Sequence, residues 1–275
     1  MAGVIGWPIG HSLSPCIHRF WAEAEGANAH YIPVEVEPDF SSFKKSVDGL
    51  RAAEFAGVNV TAPHKENALR YADEASDIAL NAGAANMLTF GDRVRADNSD
   101  ATGFSIPLNA ALSGKGSKET SVLILGAGGA ARGIIAGLIN QFKDITVTNR
   151  SGEKAEMLAE KFDLKTHDWA TKDDAIAAAQ IVINTTTLGS LGQPPLEIPP
   201  EHLGPNKTIC DIIYNPLQTP LLEVGAARGS ACIDGLAMLM HQAVPGYQAW
   251  LGKKAEVNQS LREHVLKTLR ERTQS

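Results

Sequence analysis

Ser121-Val122-Leu123-Ile124-Leu125-Gly126-Ala127-Gly128-Gly129-Ala130-Ala131 is the stretch that decides the fold of this chain. Five apolar or small residues read as a buried parallel strand, and an apolar helix from Arg132 to Ile139 follows the glycines. The turn between them fits G-x-G-x-x-A. Its glycines permit a tight turn and the close approach of a pyrophosphate to a helix N-terminus. Glycine turns are common, so the strand before and the helix after carry the reading. Gly126, Gly128, Gly129 and Ala130 are therefore candidate nucleotide contacts.

The next strand says which nucleotide. Ile145 to Thr148 ends in Asn149-Arg150-Ser151, where an NAD site usually carries an acid for the ribose hydroxyls. An arginine there accommodates a 2′-phosphate instead. Lys154 adds a second cation and Ser151 a hydroxyl. The expected cofactor is NADP(H); Arg150 as a plain solvent-facing strand end is the alternative.

Outward from this unit, short apolar runs alternate with helical patterns along the chain. They are Val4-Ile5, Tyr31 to Val36, Gly57 to Val60, Ile181 to Asn184 and Thr208 to Ile213. Such alternation predicts an α/β fold with mostly parallel sheets in two domains. Residues 1–101 form the expected substrate domain and 102–235 a Rossmann-like NADP domain. A helix through Phe104 to Leu112 connects them, and Ser113 to Glu119 reads as a loop. Residues 236–275 read as helix, with Leu261, Val265 and Leu269 at helical spacing, packing back on the first domain.

Val58-Asn59-Val60-Thr61-Ala62-Pro63-His64-Lys65 carries the first chemical hint. A strand end leads into a turn and a helix with Pro63 at its first position. Lys65 then falls in the first turn, beside the positive end of the helix dipole, where cations are disfavoured. That field and any burial lower a lysine's pKa toward the range of proton exchange. A surface lysine on a long stem is the plain alternative.

Ser12-Leu13-Ser14-Pro15 precedes an amphipathic helix with Ile17, Phe20, Trp21 and Ala24 on one face and Gly26 as its stop. Ser14 suits an N-cap and Pro15 the first helical position. Two serine hydroxyls there also make an anion site. Asn59, Thr61, Asn86, and Asn98-Ser99-Asp100 are polar positions at expected strand ends, where ligands bind in open α/β sheets. Each also reads as a turn or cap, and Asp100 as a cap of the connecting helix.

Composition bounds the rest. The chain has 275 residues, 44% hydrophobic and 20% charged, with a formal charge of −6. That balance argues against nucleic-acid and anionic-membrane surfaces. No apolar run reaches the roughly 18 residues of a membrane span. The opening Met1 to Gly6 leaves no expected room for a signal peptide. Cys16, Cys210 and Cys232 are odd in number and far apart, so a reducing cytoplasm is expected. The eight histidines show no paired-ligand spacing, and no metal is expected.

Taken in order, these segments resemble the shikimate dehydrogenase family. The resemblance rests on Ser12 to Pro15, Asn59 to Lys65, Gly83 to Asn86, Asn98 to Asp100 and the turn at Gly126. It continues through Asn149 to Ser151, Asn184-Thr185-Thr186-Thr187-Leu188-Gly189, Asp211 to Pro216 with Thr219-Pro220, and Asp234-Gly235 through Gln242. The resemblance implies reversible NADPH-dependent reduction of 3-dehydroshikimate to shikimate, on the way to chorismate and the aromatic amino acids. It implies Ser12, Ser14 and Thr61 on the substrate carboxylate. It implies Asn59, Asn86, Asp100 and Gln242 on the ring hydroxyls, with Tyr214 near the reacting pocket. Lys65 and Asp100 share the proton transfer. Asp100 favours the charged lysine and the helix field opposes it, and which wins stays open. Thr185, Thr186, Thr187, Gly235 and Met238 join the cofactor residues, and the protein is expected as a monomer or homodimer.

The chain departs from the family pattern in places. The family's Asn-Thr-Asp-Gly is Asn98-Ser99-Asp100-Ala101 here, Met87 replaces a threonine, and Ser151 replaces another. Ala101 is harmless in a first helical turn and disruptive where φ must be positive. The alternatives are a quinate/shikimate dehydrogenase using NAD, a catalytically silent NADP-binding regulator, and a two-domain folate dehydrogenase. The last does not account for the paired serines or Asn86.

Overall fold

In the computed structural model, which describes residues 1–114 and 116–274, the chain divides into two compact units. One joins Met1–Asp100 to Leu239–Ser275, and the other is Ala101–Met238.

The first unit starts with β1 (Ala2–Gly6), α1 (Ser14–Ala24), β2 (Tyr31–Glu35), α2 (Phe40–Ala52), β3 (Gly57–Val60) and α3 (Lys65–Tyr71). Then come β4 (Glu74–Ala75), α4 (Asp77–Ala82), β5 (Met87–Thr89) and β6 (Arg95–Asp97). Its sheet has the order β2-β1-β3-β5-β6-β4. β1 lies parallel to β2 and β3, and β4 to β6, while β5 is antiparallel to β3 and β6. β1, flanked by β2 and β3, is buried along its whole length. Ile5, Val58, Val60 and Leu88 pack with Phe43 and Val47 of α2.

The second unit contains α5 (Asp100–Leu112, from Ala101 on), β7 (Ser121–Leu125), α6 (Gly129–Leu138), β8 (Asp144–Thr148), α7 (Gly152–Phe162) and β9 (Lys165–Thr166). It continues with α8 (Lys172–Ala178), β10 (Ile181–Asn184), β11 (Thr208–Asp211), α9 (Pro220–Ala227) and β12 (Ala231–Ile233). All its pairings are parallel, in the order β12-β11-β10-β7-β8-β9. This is the doubly wound order, and the strand sequence reverses between β7 and β10. Val122 and Ile124 face Ile134, Ile135 and Leu138 of α6, while Leu123 and Leu125 face Ile176 and Leu222 on the other side. Successive side chains of one strand thus fill two separate cores, which is why β7 reads as continuously apolar.

α10 (Gly235–Leu251) and α11 (Gln259–Gln274) end the chain. From Leu239 onward they belong to the first unit, where Tyr247 is wholly buried and α11 packs along α1. The Trp250 indole lies directly over Gly57: a Cβ there would stand 2.1 Å from Trp250 Nε1. Trp250 Nε1 donates to Thr89 Oγ1 at 3.2 Å.

Several boundaries differ from expectation. The helical C-terminal segment is two helices, separated near Gly252, whose φ is +65°. Ser14 is the first residue of α1 rather than its cap; Leu13 holds the cap position with no side-chain capping bond. Ile17 and Trp21 are buried but Ala24 is exposed. Pro63 precedes α3, after a cis Ala62–Pro63 peptide bond, and Lys65 itself begins the helix. α5 starts at Asp100, earlier than Phe104, because the Asn98 side chain accepts from the Asp100 amide at 3.0 Å. α6 starts at Gly129 rather than Arg132. The strand expected to run to Ile213 stops at Asp211, whose carboxylate takes the Ile213 N–H. Of the loop expected over Ser113 to Glu119, Lys115 lies outside the described residues. Among the described residues no helix is long and apolar enough to cross a membrane.

Candidate active site

In the first unit the polar strand ends lie in one polar row, hydrogen-bonded from Tyr31 to Lys65. The Ser14 amide donates to Ser12 Oγ at 3.3 Å. The Ser14 side chain meets the Tyr31 hydroxyl, which donates to Asn59 Oδ1 at 2.7 Å. Asn59 Nδ2 donates to the Asn86 carbonyl at 3.2 Å. Asn86 Nδ2 then donates to Asp100 Oδ1 at 2.9 Å and to Gln242 Oε1 at 3.3 Å. Asp100 Oδ2 receives Lys65 Nζ at 2.5 Å. Of the residues expected on the substrate side, this row contains Ser12, Ser14, Asn59, Asn86, Gln242, Asp100 and Lys65. Thr61 follows β3 directly, with its amide on the Ile5 carbonyl. Tyr214 is in the other unit, half-buried on the loop after β11.

Burial makes the lysine–aspartate pair a chemical feature. The Asp100 side chain is 1% exposed and that of Lys65 14%. A buried charge pair persists only with good geometry and further hydrogen bonds on its lone pairs. Asp100 has both, since its second oxygen is bonded to Asn86. Asn86 is held in turn: its Oδ1 accepts from the Ser99 amide at 2.8 Å and the Ser99 hydroxyl at 3.2 Å. Those donors fix which end of the amide faces Asp100. Ser99 Oγ also reaches the Gln242 carbonyl at 2.8 Å, tying α10 to the pair. The Lys65 side chain, backed by a buried carboxylate, keeps a slight exposure. Such a group can stabilise developing negative charge and pass a proton.

Ala101 sits buried in the first turn of α5 and is not among the residues with positive φ. Its methyl group therefore leaves Asp100 undisturbed. Met87 packs with Ala2 and Trp250 in a small apolar cluster.

In the second unit the glycine turn lies at the strand reversal. Gly126 has φ +112°, and a Cβ there would stand 2.5 Å from Thr185 Oγ1. Thr185 Oγ1 instead donates to the Leu125 carbonyl at 2.8 Å, bringing the loops after β7 and β10 together. Nothing lies within 4 Å of where a Cβ of Gly128 would be. That opening, at the N-terminus of the ten-residue α6, fits a pyrophosphate. Arg150 and Ser151 are exposed just after β8 and Lys154 in the first turn of α7, and the Ser151 hydroxyl makes no capping bond. Among the described residues neither Arg150 nor Lys154 has an ion-pair partner. Asn149 Nδ2 bonds the Ser151 carbonyl at 3.0 Å and shapes this corner.

Met238 is a buried member of the core around Ile124 and Cys210. Gly235 passes so close to the Ile212 carbonyl that a Cβ would stand 2.2 Å away. Both placements give these residues a packing role in the unit.

The sequence did not point to the bracing of the Thr185–Thr187 loop. Buried Asn184 accepts from the Thr186 amide at 3.0 Å and the Thr186 hydroxyl at 2.7 Å, and donates to Asp211 Oδ1 at 3.1 Å. Asp211 Oδ2 accepts from Thr219 at 2.7 Å. Burial pushes the Asp211 carboxyl up to about 6, against these hydrogen bonds. Tyr31 was also missed, being an aromatic residue in a strand. Among the described residues no group of His, Cys, Asp or Glu side chains is placed to hold a metal.

The fold and site define a class: a two-unit α/β protein with a dinucleotide-type second unit and a buried lysine–aspartate pair in the first. Residues 4–88 match the shikimate dehydrogenase substrate binding domain, and residues 109–190 match shikimate/quinate 5-dehydrogenase. The chain is 41% identical to a shikimate dehydrogenase (NADP(+)) of a Jannaschia species, over 97% of each chain. It is similar to the crystal structure of shikimate 5-dehydrogenase from Thermus thermophilus in complex with NADP(H) and shikimate. There the TM-score is 0.84 at 30% identity, covering 97% of this chain and 98% of that one. A quinate dehydrogenase from Corynebacterium glutamicum in complex with NAD gives a TM-score of 0.88 at 27% identity, with coverages of 97% and 98%. This chain belongs to the shikimate dehydrogenase family.

Proposed function

We propose that the protein catalyses the reversible NADPH-dependent reduction of 3-dehydroshikimate to shikimate, serving chorismate and aromatic amino acid synthesis. The observation that carries this reading is the hydrogen-bonded chain from Tyr31 through Asn59, Asn86 and Asp100 to Lys65, with Ser14 beside the Tyr31 hydroxyl. A ring with a carboxylate at one end and hydroxyls at the other matches its donors. The paired serines and Thr61 take the carboxylate. Asn59, Asn86, Asp100 and Gln242 take the hydroxyls.

The chemistry supplied by a bound nicotinamide is hydride delivery to the ring carbonyl carbon. Lys65 faces the oxygen on which negative charge develops and gives it a proton. Asp100 holds the ammonium in place and shares the proton in the reverse direction. Gly126, Gly128, Gly129 and Ala130 would hold the pyrophosphate, Asn149, Arg150, Ser151 and Lys154 the 2′-phosphate, and Thr185, Thr186 and Thr187 the nicotinamide side. Tyr214, Gly235 and Met238 support that arrangement from the second unit.

NADP⁺ reduction with shikimate, run beside quinate and beside NAD⁺, tests the assignment. Turnover with shikimate and NADP⁺ well above the other pairs is expected. Preference for quinate with NAD⁺ would place the chain with the quinate enzymes. The same reading has a cytoplasmic enzyme, consistent with the unpaired Cys16, Cys210 and Cys232, acting as a monomer or homodimer.

A further inference from the structure

We propose that Tyr31 is a positioning residue of the substrate site, setting the donor directions of Ser14 and Asn59 through its hydroxyl. The inference rests on the substrate reading of those two residues given above. Tyr31 lies in β2, and its ring is placed by stacking on buried His18, with centroids 3.8 Å apart and planes 12° from parallel. Trp250 lies near the same ring at 6.3 Å. Burial lowers the His18 imidazole to about 3, so the stack is one of two neutral rings. A ring held in this way has little freedom, and its hydroxyl falls at one point.

That point is shared by two predicted ligand contacts from different elements. The single phenolic hydrogen goes to Asn59 Oδ1 at 2.7 Å. Asn59 is thereby oriented with its nitrogen toward the Asn86 carbonyl at 3.2 Å. One N–H remains on that nitrogen for a ligand oxygen. The phenolic oxygen meets the Ser14 side chain. It therefore stands beside Ser14, at the start of α1, while its hydrogen goes to Asn59 on β3. Burial holds the phenol far above its ordinary pKa, so it stays a donor throughout the working range. Tyr31 touches no reacting atom in this account. It controls how well two hydroxyl- and carboxylate-binding groups are aimed, which bears on substrate affinity rather than on the proton transfer at Lys65.

Tyr31→Phe keeps the stacked ring and removes only the hydroxyl. Loss of the bond to Asn59 and of the contact with Ser14 predicts a rise of about five- to tenfold in the shikimate KM. The kcat is expected to stay within about threefold and the NADP⁺ KM unchanged, a split that general unfolding does not produce. Introduced into Asn59→Ala, the same substitution is expected to raise the shikimate dissociation constant by a smaller factor, because one of its targets is gone. A shikimate KM within twofold of wild type, or an equal change in the NADP⁺ KM, overturns the inference while leaving the proposed activity standing. Wild-type protein that fails to turn over shikimate overturns both.

Discussion

The two candidate sites are built by opposite means. In the first unit, side chains bond to side chains in a buried chain that ends in a charged pair. In the second, backbone does the shaping: a glycine turn, a helix N-terminus and an open strand end, with Arg150 and Lys154 left in solvent. The first arrangement has its donor directions set before any ligand arrives, which limits the reorganisation needed at reaction. It is also intolerant, because removing one member strands its buried partners. The second tolerates side-chain change and is selective mainly through charge. Chemistry and discrimination between small polyols call for the first kind of site. Recognition of a large anionic cofactor is served by the second.

Substitutions at Lys65 press hardest on this contrast. Lys65→Ala is expected to lower kcat by roughly 10²–10⁴-fold with a modest change in KM, measured in steady-state shikimate oxidation. A loss confined to KM would reduce Lys65 to a binding group and remove the distinction between the sites. Asn86→Ala strands Asp100 Oδ1 and the Ser99 amide. Denaturant unfolding should show a loss of about 2–3 kcal/mol for this buried position. An equal loss on truncating exposed Arg150 would break the comparison.

Asp211 gives a pH test within the second unit. Its folded-state pKa of about 6 lies above the ordinary 3.8, so the folded protein binds the extra proton. The stabilisation from that proton is full below the unfolded value and is lost as pH rises through the folded value. Wild-type stability should therefore carry a downward contribution of roughly 2 kcal/mol between about pH 4 and 6.5 that Asp211→Asn lacks. Parallel unfolding curves for the two proteins across that window would show that Asp211 is ionised on both sides of it. The smallest effect is expected at Arg150→Ala. The NADP⁺ KM should rise about tenfold with the NAD⁺ KM and melting temperature little changed. Equal effects on both cofactors would mean that the arginine does not read the 2′-phosphate.

The doubly wound unit was legible because its signals are local: a glycine turn between a strand and a helix, and apolar runs buried on both faces. The mixed first sheet was less so. β4, β5 and β6 have only two or three residues each, too few to show a period. Lys65 and Asp100 could be picked out as unusual from their own positions, whereas their pairing came from the family resemblance, since the spacing alone does not show where α3 and α5 begin. Those starts were set by the Asn98 side chain on the Asp100 amide and by the turn at Pro63. The bridging role of Tyr31 was hidden for a related reason. An aromatic residue in a strand is ordinarily core, and only its neighbours in space show that its hydroxyl is used.

The seat of Trp250 over Gly57 also bears on how the chain is made. The nucleotide unit is continuous in sequence, whereas the substrate unit needs residues from both ends. During synthesis from the N-terminus, the bare surface at Gly57 waits until Trp250 emerges, and Asn86 waits equally for Gln242. Because domains form as their residues become available, the cofactor half closes its core first and the reactive half is finished last. A chain released soon after Met238 would then carry the second unit whole while lacking Gln242 and Trp250.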